Sequence, residues 1–239
     1  MTTPPVLDLG SDMASELDLE FIYVADPMCS WCWGFAPVVE RLQRRYAIPV
    51  GVVMGGLRTG PQAQPMSEAL RNQMGGYWAR VEEQTRQPFT RAALDRDGWR
   101  YDTEPSCRAV VAMRELAPHE TLRWLERLQR AFYVEGADVT NPEVFPSLVE
   151  GFDIDADEFA AALHEDGTIE RTQQDFHDAQ RLGAMGFPTL LLRDREEHGI
   201  ITRGFVSWEE LEPSLTSWFE RRYGDTSAGL ICDPRSGEC

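Results

Sequence analysis

Three segments near the start of the chain differ in their pattern of apolar and polar positions. Residues 21–25 and 50–54 are short apolar runs, whereas residues 38–46 place apolar side chains at helical spacing. Short apolar runs bounded by turn residues are typical of buried strands, and a 3.6-residue period is typical of an amphipathic helix. The order predicts a strand–helix–strand unit.

The middle of the chain, about residues 65–185, predicts a block of helices. Apolar residues recur there at spacings of three and four, most regularly between His119 and Val134. Another helix of the block, predicted over residues 67–84, contains Gly75 and Gly76. Because glycine is a poor helix former, we expect that helix to break or bend at this pair.

The last third of the chain returns to strands. Apolar runs at 189–193 and 199–205 flank a charged turn and predict a β-hairpin, and residues 208–223 predict a closing helix. Neither end of the chain has enough strands for a stable sheet, so we expect the strands of both ends to pair in one sheet. The predicted fold class is α/β, with an all-helical insertion. The expected parts are an N-terminal tail over 1–17, a first half over 18–64, the insertion over 65–185, a second half over 186–223 and a C-terminal tail over 224–239.

The charge balance argues against some classes of partner. The chain has 40 acidic and 23 basic residues, and all of the basic residues are arginine. A net charge of −17 is unfavourable for binding nucleic acid or an anionic membrane. The chain begins without a basic and apolar leader and has no run of transmembrane length, so we expect a cytoplasmic protein. Cytoplasmic thiols are mostly reduced, which makes catalytic cysteines more plausible than structural ones.

Two of the five cysteines, Cys29 and Cys32, form a C-x-x-C pair where the first strand meets the helix. In this context the pair is typical of a thioredoxin-like redox motif. A helix N-terminus stabilises a thiolate, so we expect Cys29 to attack and Cys32, one turn further on, to resolve the mixed disulfide. The alternatives are two core cysteines or half of a zinc site. Zinc needs two further ligands at suitable spacing, which we do not find, so we expect no metal and no other cofactor.

Three features together resemble the DsbA-like family of thioredoxin-fold proteins. They are Cys29-Ser-Trp-Cys32 at the strand–helix junction, the helical insertion, and Gly186-Phe-Pro-Thr189 at the start of the second half. The resemblance covers about residues 17–223. The missing leader and Trp31 look more like the cytoplasmic FrnE-type branch, a group of predicted protein disulfide isomerases.

The resemblance implies a thiol–disulfide oxidoreductase that acts on protein or small thiol and disulfide substrates, with glutathione or a thioredoxin-type protein as reductant. It also implies that Pro188 follows a cis peptide bond and that Phe187 presents its backbone to the substrate. An ordinary trans proline at the start of an edge strand is the alternative. Ser30-Trp31 replaces the Pro-His of the periplasmic enzymes. Tryptophan cannot stabilise a thiolate by charge, so we expect a less oxidising protein.

Several neighbours of the cysteine pair have two interpretations. Asp26 is either a proton acceptor for Cys32 or a cap of the following turn. Trp31 and Trp33 are candidate substrate contacts, although part of this apolar collar should belong to the core. Cys107 lies in an apolar helical pattern and is expected to be a small buried hydrophobe.

The C-terminal tail contains a second candidate redox pair. Cys232 and Cys239 flank a turn-forming segment with Pro234 and Gly237, and a loop of this kind can close a disulfide. Such a pair could exchange with Cys29–Cys32 as an internal relay. The alternative is two exposed thiols at a frayed terminus.

Two other functions remain open from the sequence. The first is a glutathione-dependent transferase or isomerase of the kappa or hydroxychromene-carboxylate isomerase type, in which Cys29 only activates a bound thiol. The second is a non-catalytic peptide-binding or chaperone module.

Overall fold

A computed structural model describes residues 17–195, 197–224 and 230–232. Almost all of the N-terminal tail and most of the C-terminal tail therefore lie outside the described residues. The strands are β1 Leu19–Ala25, β2 Val50–Met54, β3 Gln64–Pro65, β4 Arg100–Tyr101, β5 Thr189–Asp194 and β6 Glu197–Arg203. The α-helices are α1 Ser30–Arg45, α2 Glu68–Thr85, α3 Glu104–Leu116, α4 Thr121–Tyr133, α5 Phe145–Leu148, α6 Ala156–Ala162, α7 Asp166–Arg181 and α8 Trp208–Tyr223.

One four-stranded sheet joins the two ends of the chain in the order β2-β1-β5-β6. Strand β1 pairs in parallel with β2 and antiparallel with β5, so that Tyr23 lies between Val52 and Leu190. Strand β6 pairs antiparallel with β5 and forms the other edge. The predicted α/β fold with a shared sheet is therefore confirmed, and the helices between β2 and β5 form the insertion.

Both faces of β1 are buried, which explains its continuous apolar sequence. Phe21 and Tyr23 point into the main core, and Ile22 and Val24 point into a smaller cluster that includes Leu191 on β5. Two buried faces place β1 at the centre of the molecule. The turn with Cys29 follows directly from its C-terminal end.

Helix α2 continues through Gly75 and Gly76, so the predicted break or bend is wrong. Ser67 caps its first turn by accepting a hydrogen bond from the Leu70 amide. The helix buries residues at three- and four-residue spacing, and this packing outweighs the low helix propensity of glycine. The buried positions are Leu70, Met74, Trp78 and Val81.

The insertion is fastened to the β2 edge of the sheet by one ion pair. The Arg114 guanidinium on α3 donates to both carboxylate oxygens of Asp175 on α7, at 2.8 and 2.9 Å. Arg114 also donates to the Val52 carbonyl, and Asp175 accepts from the Met54 amide. These contacts satisfy backbone groups of an edge strand that would otherwise lack partners. No helix within the described ranges is long and apolar enough to cross a bilayer.

We predict that Asp175→Ala lowers the free energy of unfolding by about 2–3 kcal/mol, because it leaves the Arg114 charge and the Met54 amide without their partner. Asp178→Ala on the same helix is the matched control. Asp178 pairs with Arg181 at the exposed surface, so its loss should change stability by less than about 0.5 kcal/mol. Urea unfolding measures both, and equal effects of the two substitutions would contradict the fastening role of Asp175.

Candidate active site

The two cysteines lie at the junction of β1 and α1. Cys29 is the N-cap residue of α1, and its carbonyl accepts from the Trp33 amide at 3.0 Å. Its own amide donates to the Asp26 carbonyl at 3.1 Å, which closes the turn after β1. Cys29 is 5% exposed and Cys32 is 0% exposed, and both are free thiols. Cys29 therefore has limited access to solvent, whereas Cys32, one helical turn further on, has none.

The cis-proline loop contacts the first of these thiols. The Phe187–Pro188 peptide bond is cis, and the Cys29 Sγ atom donates to the Phe187 carbonyl at 3.5 Å. The Gly204 amide donates to the Pro188 carbonyl at 2.8 Å, and the Thr189 hydroxyl donates to the Gly186 carbonyl at 2.8 Å. These two bonds brace the loop itself, and the Cys29–Phe187 contact joins it to the cysteine turn across 158 positions of the sequence.

A glycine loop after β2 forms another side of the site. A Cβ at Gly55 would lie 2.1 Å from the Phe187 ring, so only glycine allows this close approach. The Gly55 amide donates to the Ala25 carbonyl at 2.7 Å and extends the β1–β2 pairing by one bond.

Asp26 is completely buried beneath the cysteine turn and accepts four hydrogen bonds. Its Oδ1 atom accepts from the Met28 amide at 2.8 Å, which is the predicted turn cap. Its Oδ2 atom accepts from the Leu57 amide at 2.7 Å, the Thr103 hydroxyl at 2.8 Å and the Cys107 thiol at 3.4 Å. One carboxylate therefore joins the turn, the loop after β2 and helix α3.

Burial sets the proton affinities of this group and of Cys32. Burial raises the pKa of the Asp26 carboxyl, although the hydrogen bonds from Leu57 and Thr103 act in the opposite direction. Burial also raises the pKa of the Cys32 thiol well above its ordinary value, and the neighbouring Cys29 thiol adds to the increase. Cys32 is thus held as a protonated thiol in this state.

Cys107 is more than the small hydrophobe that its sequence context indicates. It is fully buried, as predicted, but its thiol donates to Asp26. Thr103, the N-cap residue of α3, likewise donates to Asp26 and makes no side-chain cap of its own helix. Sequence reasoning missed Thr103, because these partners lie 77 and 81 positions from Asp26 and form no local motif.

Tyr101 is a second residue that the sequence did not single out. Its hydroxyl donates to the Met28 carbonyl at 2.6 Å, directly before Cys29. Burial raises the pKa of this phenol far above its ordinary value, so it remains a hydrogen-bond donor at physiological pH.

The two tryptophans of the motif have different environments. Trp33 is 2% exposed, stacks on Tyr133 and donates from its Nε1 atom to the Pro88 carbonyl at 3.1 Å. Its burial does not fit the predicted substrate contact, and we assign it to the core. Trp31 is half-buried, and its ring centroid lies 5.8 Å from that of Phe205. It keeps surface that a substrate can reach.

Part of the C-terminal tail is docked at the far end of α1. Leu230 is fully buried, Ile231 pairs with Tyr46, and the Cys232 amide donates to the Arg45 carbonyl at 2.7 Å. Cys232 takes part in a disulfide. Cys239 lies outside the described residues, so its pairing with Cys232 stays a prediction.

This docking separates Cys232 from the redox pair. Helix α1 has 16 residues and is therefore about 24 Å long, with Cys29 at its start and Tyr46 just after its end. The structure does not bring Cys232 to Cys29–Cys32, and an internal relay would require the docked segment to detach.

The family model of the DSBA-like thioredoxin domain matches residues 21–215. The chain belongs to this family. This membership agrees with the resemblance that the motifs indicate. It places the C-x-x-C pair and the cis-proline loop in a DsbA-like fold.

Solved structures give the same assignment. A candidate protein disulfide isomerase from Nitrosomonas europaea is 34% identical, with a TM-score of 0.77 over 85% of this chain and 98% of that chain. The cytosolic disulfide reductase DsbM from Pseudomonas aeruginosa is 25% identical, with a TM-score of 0.69 over 84% of this chain and 99% of that chain. DsbM has also been solved with glutathione. A 2-hydroxychromene-2-carboxylate isomerase shares only the fold, at 15% identity and a TM-score of 0.62.

Curated relatives are more distant. The ClpXP adapter protein SpxH of Bacillus subtilis is 22% identical over 82% of this chain, and that of Halalkalibacterium halodurans is 24% identical over 78%. The matches span 66% and 63% of the length of these two relatives.

The raised pKa of Asp26 predicts a pH-dependent stability difference between the wild type and Asp26→Asn. The folded protein binds this proton more tightly than the unfolded chain, so the wild type loses stability as pH rises from the ordinary aspartate range, about 3.9, through the raised pKa. The asparagine variant lacks this loss. Its free energy of unfolding relative to the wild type should therefore increase with pH in that window and then level off. Urea unfolding in steps from about pH 4 to pH 8 measures this difference, and a pH-independent one would contradict the assignment.

The docked tail predicts a structural effect of truncation. Removing the chain after Tyr223 should lower the free energy of unfolding by at least about 2–3 kcal/mol, because a buried leucine, Leu230, is lost. The reduction potential of Cys29–Cys32 should stay unchanged. Denaturation and redox titration of the truncated protein test both statements. A fall in turnover with a protein reductant, at an unchanged potential of Cys29–Cys32, would instead support the relay.

Proposed function

We propose that the protein is a thiol–disulfide oxidoreductase of the protein disulfide isomerase type that exchanges disulfides at Cys29 and Cys32. The contact between the Cys29 Sγ atom and the Phe187 carbonyl, at 3.5 Å, carries this proposal. It brings the thiol at the helix N-terminus against the backbone of the cis-proline loop. An extended substrate bound to that backbone would present its sulfur to Cys29.

The proposed exchange has two steps. The Cys29 thiolate attacks a substrate disulfide, forms a mixed disulfide and releases one substrate thiol. The Cys32 sulfur then attacks the Cys29 sulfur, breaks the mixed disulfide and releases the second substrate thiol. Phe187 and Trp31 are the proposed substrate contacts, since both are half-buried beside the pair.

Cys32 must lose its proton before it attacks. Its burial opposes this loss, so a nearby acceptor is required. Asp26 is the proposed acceptor, because it is a buried carboxylate under the same turn and interacts electrostatically with Cys32. Its raised pKa makes it a better base than an ordinary aspartate.

We place the reaction in the cytoplasm, with glutathione or a thioredoxin-type protein as reductant. Two features support a reducing or isomerising direction. The dipeptide Ser30-Trp31 provides no cation beside Cys29, and the 25%-identical relative DsbM is a cytosolic disulfide reductase.

The mechanism predicts opposite outcomes for the two cysteines. Incubation with an oxidised peptide should trap a mixed disulfide at Cys29 in the Cys32→Ser variant, because the resolving thiol is missing. The Cys29→Ser variant should trap far less, because the remaining free thiols of the described residues, Cys32 and Cys107, are fully buried. Intact mass spectrometry after acid quenching measures the adduct, and peptide mapping locates it.

Neither variant should sustain multiple turnovers of peptide disulfide reduction. Equal trapping in both variants would contradict the division of roles. Full turnover by Cys32→Ser would point to a mechanism in which Cys29 only activates a bound thiol.

A further inference from the structure

Arg58 is a partly buried cation without a carboxylate partner in the described part of the chain. Acidic residues outnumber basic ones by 40 to 23, and most half-buried arginines of the structure pair with a carboxylate, as Arg108 and Arg114 do. The Arg58 guanidinium instead lies over the ring of Tyr101, 5.1 Å from its centroid. Its charge is therefore available to a ligand.

The position of Arg58 is fixed by its backbone. Its amide donates to the Thr103 hydroxyl at 3.2 Å, and its carbonyl accepts from the Thr103 amide at 2.9 Å. Thr103 also donates to Asp26, so the segment that carries Arg58 is tied to the carboxylate below the redox turn.

The same segment forms a wall of the redox site. Leu57 donates to Asp26, and Gly55 lies against the Phe187 ring. Tyr101, on which the guanidinium rests, holds the Met28 carbonyl one residue before Cys29. A single tyrosine side chain thus separates the free cation from the cysteine turn.

A guanidinium in this setting is suited to a carboxylate. It offers five donors in a planar fork, and partial burial strengthens its pairing with an anion. The net charge of −17 repels anionic ligands in general, so a small anionic substrate requires a local cation at the place where it reacts. Arg58 provides such a cation one tyrosine side chain away from the cysteine turn.

We propose that Arg58 binds a carboxylate of a small anionic thiol or disulfide of the glutathione class and so selects it as a substrate of Cys29. The inference rests on the proposed thiol–disulfide exchange and names the substrate class of that site. In the forward step, the Cys29 thiolate attacks one sulfur of glutathione disulfide, the Cys29–glutathione bond forms, and the glutathione–glutathione bond breaks. One glutathione thiolate leaves and takes up a proton. Attack by Cys32 then releases the second glutathione and leaves the protein disulfide.

The test compares an anionic with a neutral disulfide in the Cys32→Ser background, where only the first step occurs. The second-order rate constant for mixed-disulfide formation is measured with glutathione disulfide and with hydroxyethyl disulfide. We expect Arg58→Gln to lower the rate with glutathione disulfide about tenfold, the effect of losing one charge-assisted bond of roughly 1.4 kcal/mol. The rate with hydroxyethyl disulfide should not change, and Arg58→Lys should restore part of the loss.

Arg80→Gln is the matched control. Arg80 also lies over a tyrosine, 4.8 Å from the Tyr77 ring centroid, but on the exposed face of α2. Its substitution should leave both rates unchanged. Added salt should reduce the preference for glutathione disulfide in the parent protein and have little effect in Arg58→Gln.

Two results would overturn the inference. A similar loss with both disulfides in Arg58→Gln would show that Arg58 only supports Tyr101 and the turn. Unchanged rates with both would show that it contacts no carboxylate. The proposed function is tested separately, by turnover of the protein with intact Cys32. The protein could fail that test and still react faster with glutathione disulfide than with hydroxyethyl disulfide in the first step.

Discussion

The buried carboxylate of Asp26 is the contact on which the redox site depends. It takes hydrogen bonds from the Met28 amide before α1, the Leu57 amide after β2, and the Thr103 and Cys107 side chains on α3. A buried carboxylate without partners costs several kcal/mol, so all of these donors must be in place together. Asp26 therefore fixes the position of the helical insertion relative to the cysteine turn. Burial raises the pKa of Asp26, whereas Thr103 and Cys107, which belong to the insertion, lower it.

The same constraint separates the two thiols chemically. Cys29 lies at a helix N-terminus, and its Sγ atom donates to the Phe187 carbonyl. Cys32 is fully buried, and its thiol has a raised pKa. The proposed disulfide exchange needs an attacking and a resolving thiol, and these different environments suit Cys29 and Cys32 to the two roles. The Arg114–Asp175 pair holds the insertion to the sheet edge, so it maintains this arrangement from outside the site.

Local sequence patterns predicted the four strands of the main sheet and the cysteine pair, because each depends on neighbouring residues. The cis-proline loop followed from the family resemblance. The pairing of Asp26 with Thr103 and Cys107 could not be predicted, since it joins positions 77 and 81 residues apart. The sequence makes both Trp31 and Trp33 candidate substrate contacts, because both belong to the apolar collar around the cysteine pair. Only the packing of α1 against the insertion shows that Trp33 is buried. The docking of residues 230–232 on α1 was likewise not predictable, because it depends on the pairing of Ile231 with Tyr46, which is far away in the sequence.

We expect Cys29 and Cys32 to form a reversible redox couple whose direction is set by Ser30-Trp31, the dipeptide that places no cation between the two cysteines. Equilibration of the protein in graded glutathione buffers, with acid quenching and mass spectrometry of the Cys29–Cys32 peptide, measures this directly. The account predicts one two-electron transition with a midpoint nearer to that of thioredoxin, about −270 mV, than to that of DsbA, about −120 mV. A midpoint close to the DsbA value, or no disulfide between Cys29 and Cys32 at any buffer ratio, would contradict it.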